Sequence, residues 1–211
     1  MSVDERVEDL VARGRQALVK APNRFLESVE GGPVETARLR ALAGELFHLV
    51  SSDRQSFALL AARFPEPLFP AMAGAEDEAL ALLLDFGAAV GASAEDLRAH
   101  EPRPLAQAYP AFLARTAVFG PRGAVPLALL VNVEESGGTY ARLADALQAH
   151  GFTDRAVAHF RFFAETPQEV LDQAADVVAR GLDAGDDPVE LLRAARMVDA
   201  YEAAFWSAMT E

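Results

Sequence analysis

The sequence predicts an all-α fold, one domain of seven or more helices, and three observations carry it. Ala, Leu, Glu and Arg dominate, while β-branched runs bounded by turns are missing. Proline and glycine clusters punctuate the apolar-periodic stretches at intervals that suit helices. No internal repeat or low-complexity linker divides the 211 residues, a length that can bury a substantial core.

Residues 4–20 read as a first helix, with Val7, Leu10, Val11 and Leu18 on one side. Pro22 and Asn23 break it, and 24–29 forms a short helix ended by Gly31, Gly32 and Pro33. A long helix follows over 36–64, and Pro65, Pro67 and Pro70 mark the connection after it. The next helix spans 76–90 and stops at Gly91. Ser93 caps a short one, with Glu95 and Asp96 in its first turn, which ends by Pro102. Residues 105–119 continue until Gly120, Pro121 and Gly123 turn the chain. A second long helix covers 125–150 and ends at His150 and Gly151. Another runs from Thr153 to Phe163. Thr166 and Pro167 open a helix to Leu182, with Glu169 at capping-box spacing from Thr166. Asp186, Asp187 and Pro188 start the last, which reaches Met209.

Charge and composition narrow the function. Hydrophobic residues make up 51% and charged residues 24%, a globular balance. Formal net charge is −13, from 32 acids against 19 bases, so no basic stripe is available to displace counterions from nucleic acid or anionic membranes. Lys20 is the single lysine, beside an arginine-rich amino-terminal helix, which disfavours Schiff-base chemistry. The absence of cysteine excludes disulfides, thiolate metal ligands and a cysteine nucleophile. Residues 1–15 lack the apolar core of a signal peptide, and Pro126 and Asn132 interrupt the longest apolar stretch, 124–133. The expectation is a soluble cytoplasmic protein that contacts neither nucleic acid nor membrane.

The residues that could carry chemistry are carboxylates in apolar helical company. Glu45 and His48 lie three apart in the long helix over 36–64, sharing a face with Ala41 and Leu42 one turn earlier and Ser52 one turn later. Glu202 lies in the last helix, where Asp199, Glu202 and Trp206 form one stripe. A carboxylate on a buried face is costly unless paired, which makes such positions site candidates, while a solvent-facing glutamate is the plain alternative. Glu-x-x-His is also a metal-ligand spacing of helical carboxylate sites. Tyr109 and the run 132–138, containing Asn132, Glu134, Glu135, Ser136, Gly137 and Gly138, are further candidates. The two helical glycines point to close helix packing or to room beside a ligand. Small Ala41 and Gly44 carry the same two readings beside Glu45. Phe160, Phe162 and Phe163 read as core, His159 as core or pocket wall, and His100 and His150 as helix-end residues complementing the dipole. Nucleophile-elbow, phosphate-loop and dinucleotide patterns are absent.

These segments, in this order, resemble the TenA/thiaminase-II and PqqC group, whose fold is a heme-oxygenase-like helical bundle around a central cavity. The matching stretches are 23–27 with its glycine-rich turn, 45–49, 108–113, 129–138 and 201–206, the last carrying Glu202, Phe205 and Trp206. The resemblance implies a cavity for an aminopyrimidine. It implies that Glu45 grips the ring amine and that Tyr109 stands on the middle helix. Glu202 then donates and accepts the proton, and Glu45 and Glu202 are the expected catalytic acids. His48, Tyr109, Asn132, Glu135 and Trp206 are the expected substrate contacts. The family cysteine falls near Asn132, and an early-helix tyrosine is replaced by His48. The chain therefore resembles a cysteine-free branch that hydrolyses amino- or formylamino-pyrimidines with carboxylates, with Glu134 or Glu135 supplying the extra one and no cofactor.

The same fold hosts iron-dependent oxidases, and the alternative ligand set here is Glu45, His48, Glu135, Asp199 and Glu202. A catalytically silent small-molecule binder is the third reading. All three imply a small nitrogen-containing or metal ligand, and by analogy a homo-oligomer.

Overall fold

The computed structural model describes residues 3–18 and 21–210, with the side chains of residues 3 and 4 left aside. Lys20 lies outside the described residues. Among them are ten helices and no strand, so the all-α expectation holds: α1 (Val3–Gln16), α2 (Arg24–Glu30), α3 (Thr36–Arg63), α4 (Leu68–Ala89), α5 (Ala94–Ala99), α6 (Ala108–Phe119), α7 (Ala124–Ala149), α8 (Asp154–Ala164), α9 (Gln168–Asp183) and α10 (Pro188–Ala208).

Most helix starts follow local chemistry. The side chains of Asn23, Thr153 and Asp187 each accept a backbone N–H of the first turn they precede. Ser93 and Asp96 form a full capping box at α5. Gly151, with φ 91°, ends α7, and the Phe152 N–H returns to the Leu147 carbonyl at 3.1 Å.

Four boundaries differ from the sequence reading. α1 ends at Gln16, short of 20. α4 starts at Leu68, eight residues before Glu76, because Pro70 stands in its first turn, where an N–H has no partner within the helix to lose. Pro110 in α6 and Pro126 in α7 stand in the same position. α6 starts at Ala108, since 104–107 form turns instead. The Thr166 capping box does not form: Pro167 is the N-cap of α9, which places Thr166 one residue too early.

α3 packs along α4, α7 along α8 and α10, and α6 bridges α3 and α10. The core has two parts. One gathers Phe25, Leu42, Leu46, Phe86, Phe160 and Trp206, and the other Leu10, Phe57, Leu60, Phe69, Leu127, Val177 and Leu191. Each fully buried Phe or Leu contributes about 1.5–3 kcal/mol of transfer free energy. No described helix is long and apolar enough to cross a membrane.

Candidate functional site

Between the two halves of the core lies a cavity of about 430 Å³, walled by both. Helical spacing sets its lining: Leu49, Asp53 and Phe57 on α3, Met72 and Glu76 on α4, Ser136, Gly137 and Tyr140 on α7, and Glu202, Phe205 and Trp206 on α10. Tyr109 enters from α6, Phe162 and Phe163 from the last turn of α8, and Glu165 and Thr166 from the α8–α9 connection. The cavity is aromatic and acidic. None of its described lining residues is Lys, Arg or His.

Glu202 is the best-defined acid. Ser136 Oγ donates to its Oε1 at 2.8 Å. Burial pushes its carboxyl up to about 7. The Ser136 and Trp206 side chains oppose that rise as hydrogen-bond partners, while the charges of Asp199 and Glu135 add to it. A carboxyl group near 7 can both take and give a proton at neutral pH.

Asp53 and Glu76 form a second acidic locus across the α3–α4 contact. Both are buried, and Asp53 Oδ1 and Glu76 Oε2 accept no hydrogen bond. Burial raises Glu76 to about 8. Burial and the Glu76 charge raise Asp53 well above the carboxylate range, opposed by a hydrogen bond with Tyr109. Tyr109 and Tyr140 are held as neutral phenols, pushed up first by burial and then by the Asp53, Glu76 and Glu202 charges.

A smaller pocket of about 70 Å³ backs onto the cavity and shares Ser136, Glu202 and Trp206 with it. Asn23, Asn132, Glu135, Thr139 and Asp199 complete its rim. Glu202 therefore stands in a partition between an aromatic cavity and a polar niche, which has room for about two waters.

The structure thus brings Glu202, Tyr109 and Trp206 to the cavity, and Asn132, Glu135 and Asp199 to the niche. Asn132 Nδ2 donates to the carbonyls of Ala128 at 2.9 Å and Ala195 at 3.4 Å, tying α7 to α10. Glu134 is exposed and pairs with Arg15 at 2.9 Å.

Glu45 and His48, expected beside a ligand, are placed outside the cavity wall. Glu45 is fully buried under the 100–107 segment, accepting from the Arg103 N–H at 2.7 Å and Gln107 Nε2 at 2.7 Å, with His100 Nε2 at 3.2 Å. His48 Nε2 donates to the His100 carbonyl at 3.0 Å. Glu45 sits two helical turns before Asp53, about 12 Å along the axis. His100 thus does more than end a helix: its ring occupies the space over Gly44, where a Cβ would collide with it. Gly137 serves close packing and the cavity together, since a Cβ there would lie 2.8 Å from the Ala164 carbonyl oxygen. Phe160 is core as expected, whereas Phe162 and Phe163 line the cavity. His159 is a core histidine, donating from Nδ1 to the Ala79 carbonyl at 2.9 Å, and burial lowers its pKa to about 4.

Asp53, Glu76 and Tyr140 join the candidate residues only through the structure. Their signal was present. Leu49, Asp53, Phe57 and Leu60 share an apolar stripe, as do Met72, Glu76, Ala79 and Leu83. The five alternative iron ligands do not converge, because Glu45 and His48 face the 100–107 segment while Glu135, Asp199 and Glu202 border the niche. Among the described residues, no group of three or more His, Cys, Asp or Glu is arranged to hold a metal ion.

No protein-family model matches the chain, and no curated protein matches it. Solved structures do. A TenA homologue from P. horikoshii OT3 matches with a TM-score of 0.70 at 14% identity, over 99% of this chain and 98% of the other. A TenA homologue from Pseudomonas syringae pv. tomato gives 0.69 at 11%, over 98% and 91%. A domain of unknown function with a heme oxygenase-like fold from Shewanella denitrificans gives 0.54 at 16%, over 96% and 92%. The chain has a heme-oxygenase-like fold. Its particular form is the one seen in TenA homologues, a likeness of architecture spanning nearly the whole length.

Proposed function

We propose that the chain is a TenA-like, cysteine-independent hydrolase that binds a compact nitrogen heteroaromatic of the aminopyrimidine type. The observation that carries this reading is Glu202, a carboxyl near 7 at the boundary of an aromatic cavity and a polar niche. With no cysteine in the chain, water itself attacks the carbon that bears the departing nitrogen. Glu202 takes a proton from that water as the C–O bond forms. It returns the proton to the nitrogen as the C–N bond breaks, leaving an alcohol or acid and a free amine. Ser136 holds Oε1 in place, and the neutral phenol of Tyr140 offers a hydrogen-bond donor to a ring nitrogen, while Tyr109 is bonded to Asp53. The aromatic walls at Phe163 and Trp206 favour a flat ring.

The test is a hydrolysis assay on amino- and formylamino-pyrimidines, following ammonia or formate release, with wild type and Glu202→Gln side by side. Release by wild type and its loss in the variant support the reading. Equal release by both overturns it, and binding without release would leave a non-catalytic pocket.

A further inference from the structure

We infer that the cavity selects a cationic head group, an amidinium or alkylammonium, seated between Asp53 on α3 and Glu76 on α4. The inference rests on the small-molecule role proposed for the same cavity and specifies what its ligand must carry. Asp53 is 3% exposed and Glu76 8%, both residues line the cavity, and Asp53 Oδ1 and Glu76 Oε2 are buried without a donor. A buried carboxyl oxygen without a donor is costly, and the protein leaves two of them on adjoining helices.

The neighbouring charges sharpen the point. Arg54 and Asp77, each adjacent in sequence to one of the two acids, pair with each other at 2.7 Å on the exposed side. The cation that α3 could have offered is thus spent outside, and the described lining provides none. A ligand that brings its own positive charge completes the locus. Two carboxyl groups on adjoining helices suit the paired donors of an amidinium or the three of an ammonium. Tyr109 and Tyr140 line the same cavity, and aromatic rings there add attraction for a cation.

Without a ligand the locus holds protons, since burial keeps both acids above the ordinary carboxylate range. The titratable groups that line the cavity with it are Tyr109 from α6, Tyr140 from α7, Glu202 from α10 and Glu165 from the α8–α9 connection, while His159 of α8, neutral, is bonded to the Ala79 carbonyl of α4. None is a cation near pH 7.5, so a cationic ligand displaces a proton to solvent as it enters, and its affinity rises with pH between 6 and 8.

Calorimetric titration of the full chain with benzamidine and with benzyl alcohol, a neutral ligand with the same ring, tests this at pH 7.5 in two buffers of different ionisation enthalpy. Benzamidine is expected to bind at least about tenfold more tightly, the scale of one charged hydrogen-bonded contact, with proton release. That preference should vanish in Asp53→Asn and in Glu76→Gln and persist in Glu202→Gln. Both of the first two changes remove a buried acid without changing its shape, and either one carries the test if the other is not recovered folded. Equal affinity for the two ligands, no binding of benzamidine, or a preference unchanged by both substitutions would overturn the inference. Pyrimidine hydrolysis without benzamidine preference would overturn it alone. Benzamidine preference without hydrolysis would overturn only the hydrolase reading.

Discussion

Ser136 and Glu202, 66 positions apart in the chain, meet at 2.8 Å where α7 and α10 form the partition between cavity and niche. The hydroxyl favours the charged carboxylate, so it moderates a pKa that burial has raised to about 7. Ser136→Ala should push Glu202 higher. The titration of Glu202, followed by carbon NMR of a labelled glutamate, should shift upward in the variant while the thermal midpoint changes little.

Stability should fall as pH rises from about 5 to 8. Glu202 and Glu76 are raised to about 7 and 8 in the folded chain, and Asp53 is raised as well. Between the unfolded and folded pKa values the folded state binds more protons than the unfolded one. Unfolding free energy therefore declines through that window, by up to about 1.4 kcal/mol per pH unit for each group. Thermal midpoints across pH 5–8.5 check the trend, which Glu76→Gln should flatten.

Glu45→Ala should destabilise the fold without emptying the cavity of its ligand. The Arg103 N–H and Gln107 Nε2 lose a buried acceptor, at about 1–3 kcal/mol for each donor left unpaired. Chemical denaturation should show the loss. Affinity of the folded variant for a cavity ligand should match wild type, because Glu45 is not part of the wall.

Two helical glycines should respond in opposite directions to alanine. A Cβ at Gly44 collides with the His100 ring, so Gly44→Ala should cost about 1–3 kcal/mol. At Gly138 a Cβ meets nothing within 4 Å, and Gly138→Ala should stabilise by up to about 1 kcal/mol through helix propensity. Denaturation midpoints of the pair decide it.

The helices were legible because apolar periodicity and proline–glycine punctuation are local signals. The start of α4 was not, because Pro70 reads as a breaker unless it is known to occupy a first turn. Tyr109, Glu202 and Trp206 could be found as polar or aromatic residues in apolar stretches. Asp53 hid in the polar run 51–54 and Glu76 in the acidic run 76–78, where only the phase of the helix tells an inward carboxylate from an outward one. Glu45 shows the converse. Its apolar surroundings correctly mark it as buried, but its partners come from 100–107, more than fifty residues away, and no local pattern shows that this segment rather than the cavity receives it.

The role of Glu202 as acid and base is tested by the pH profile of pyrimidine hydrolysis for wild type and Glu202→Gln. The wild-type rate should rise through about pH 7 as Glu202 becomes the base, and the variant should be slowed by about 10²–10⁴-fold with that limb gone. A variant that hydrolyses at the wild-type rate with the same limb would contradict it.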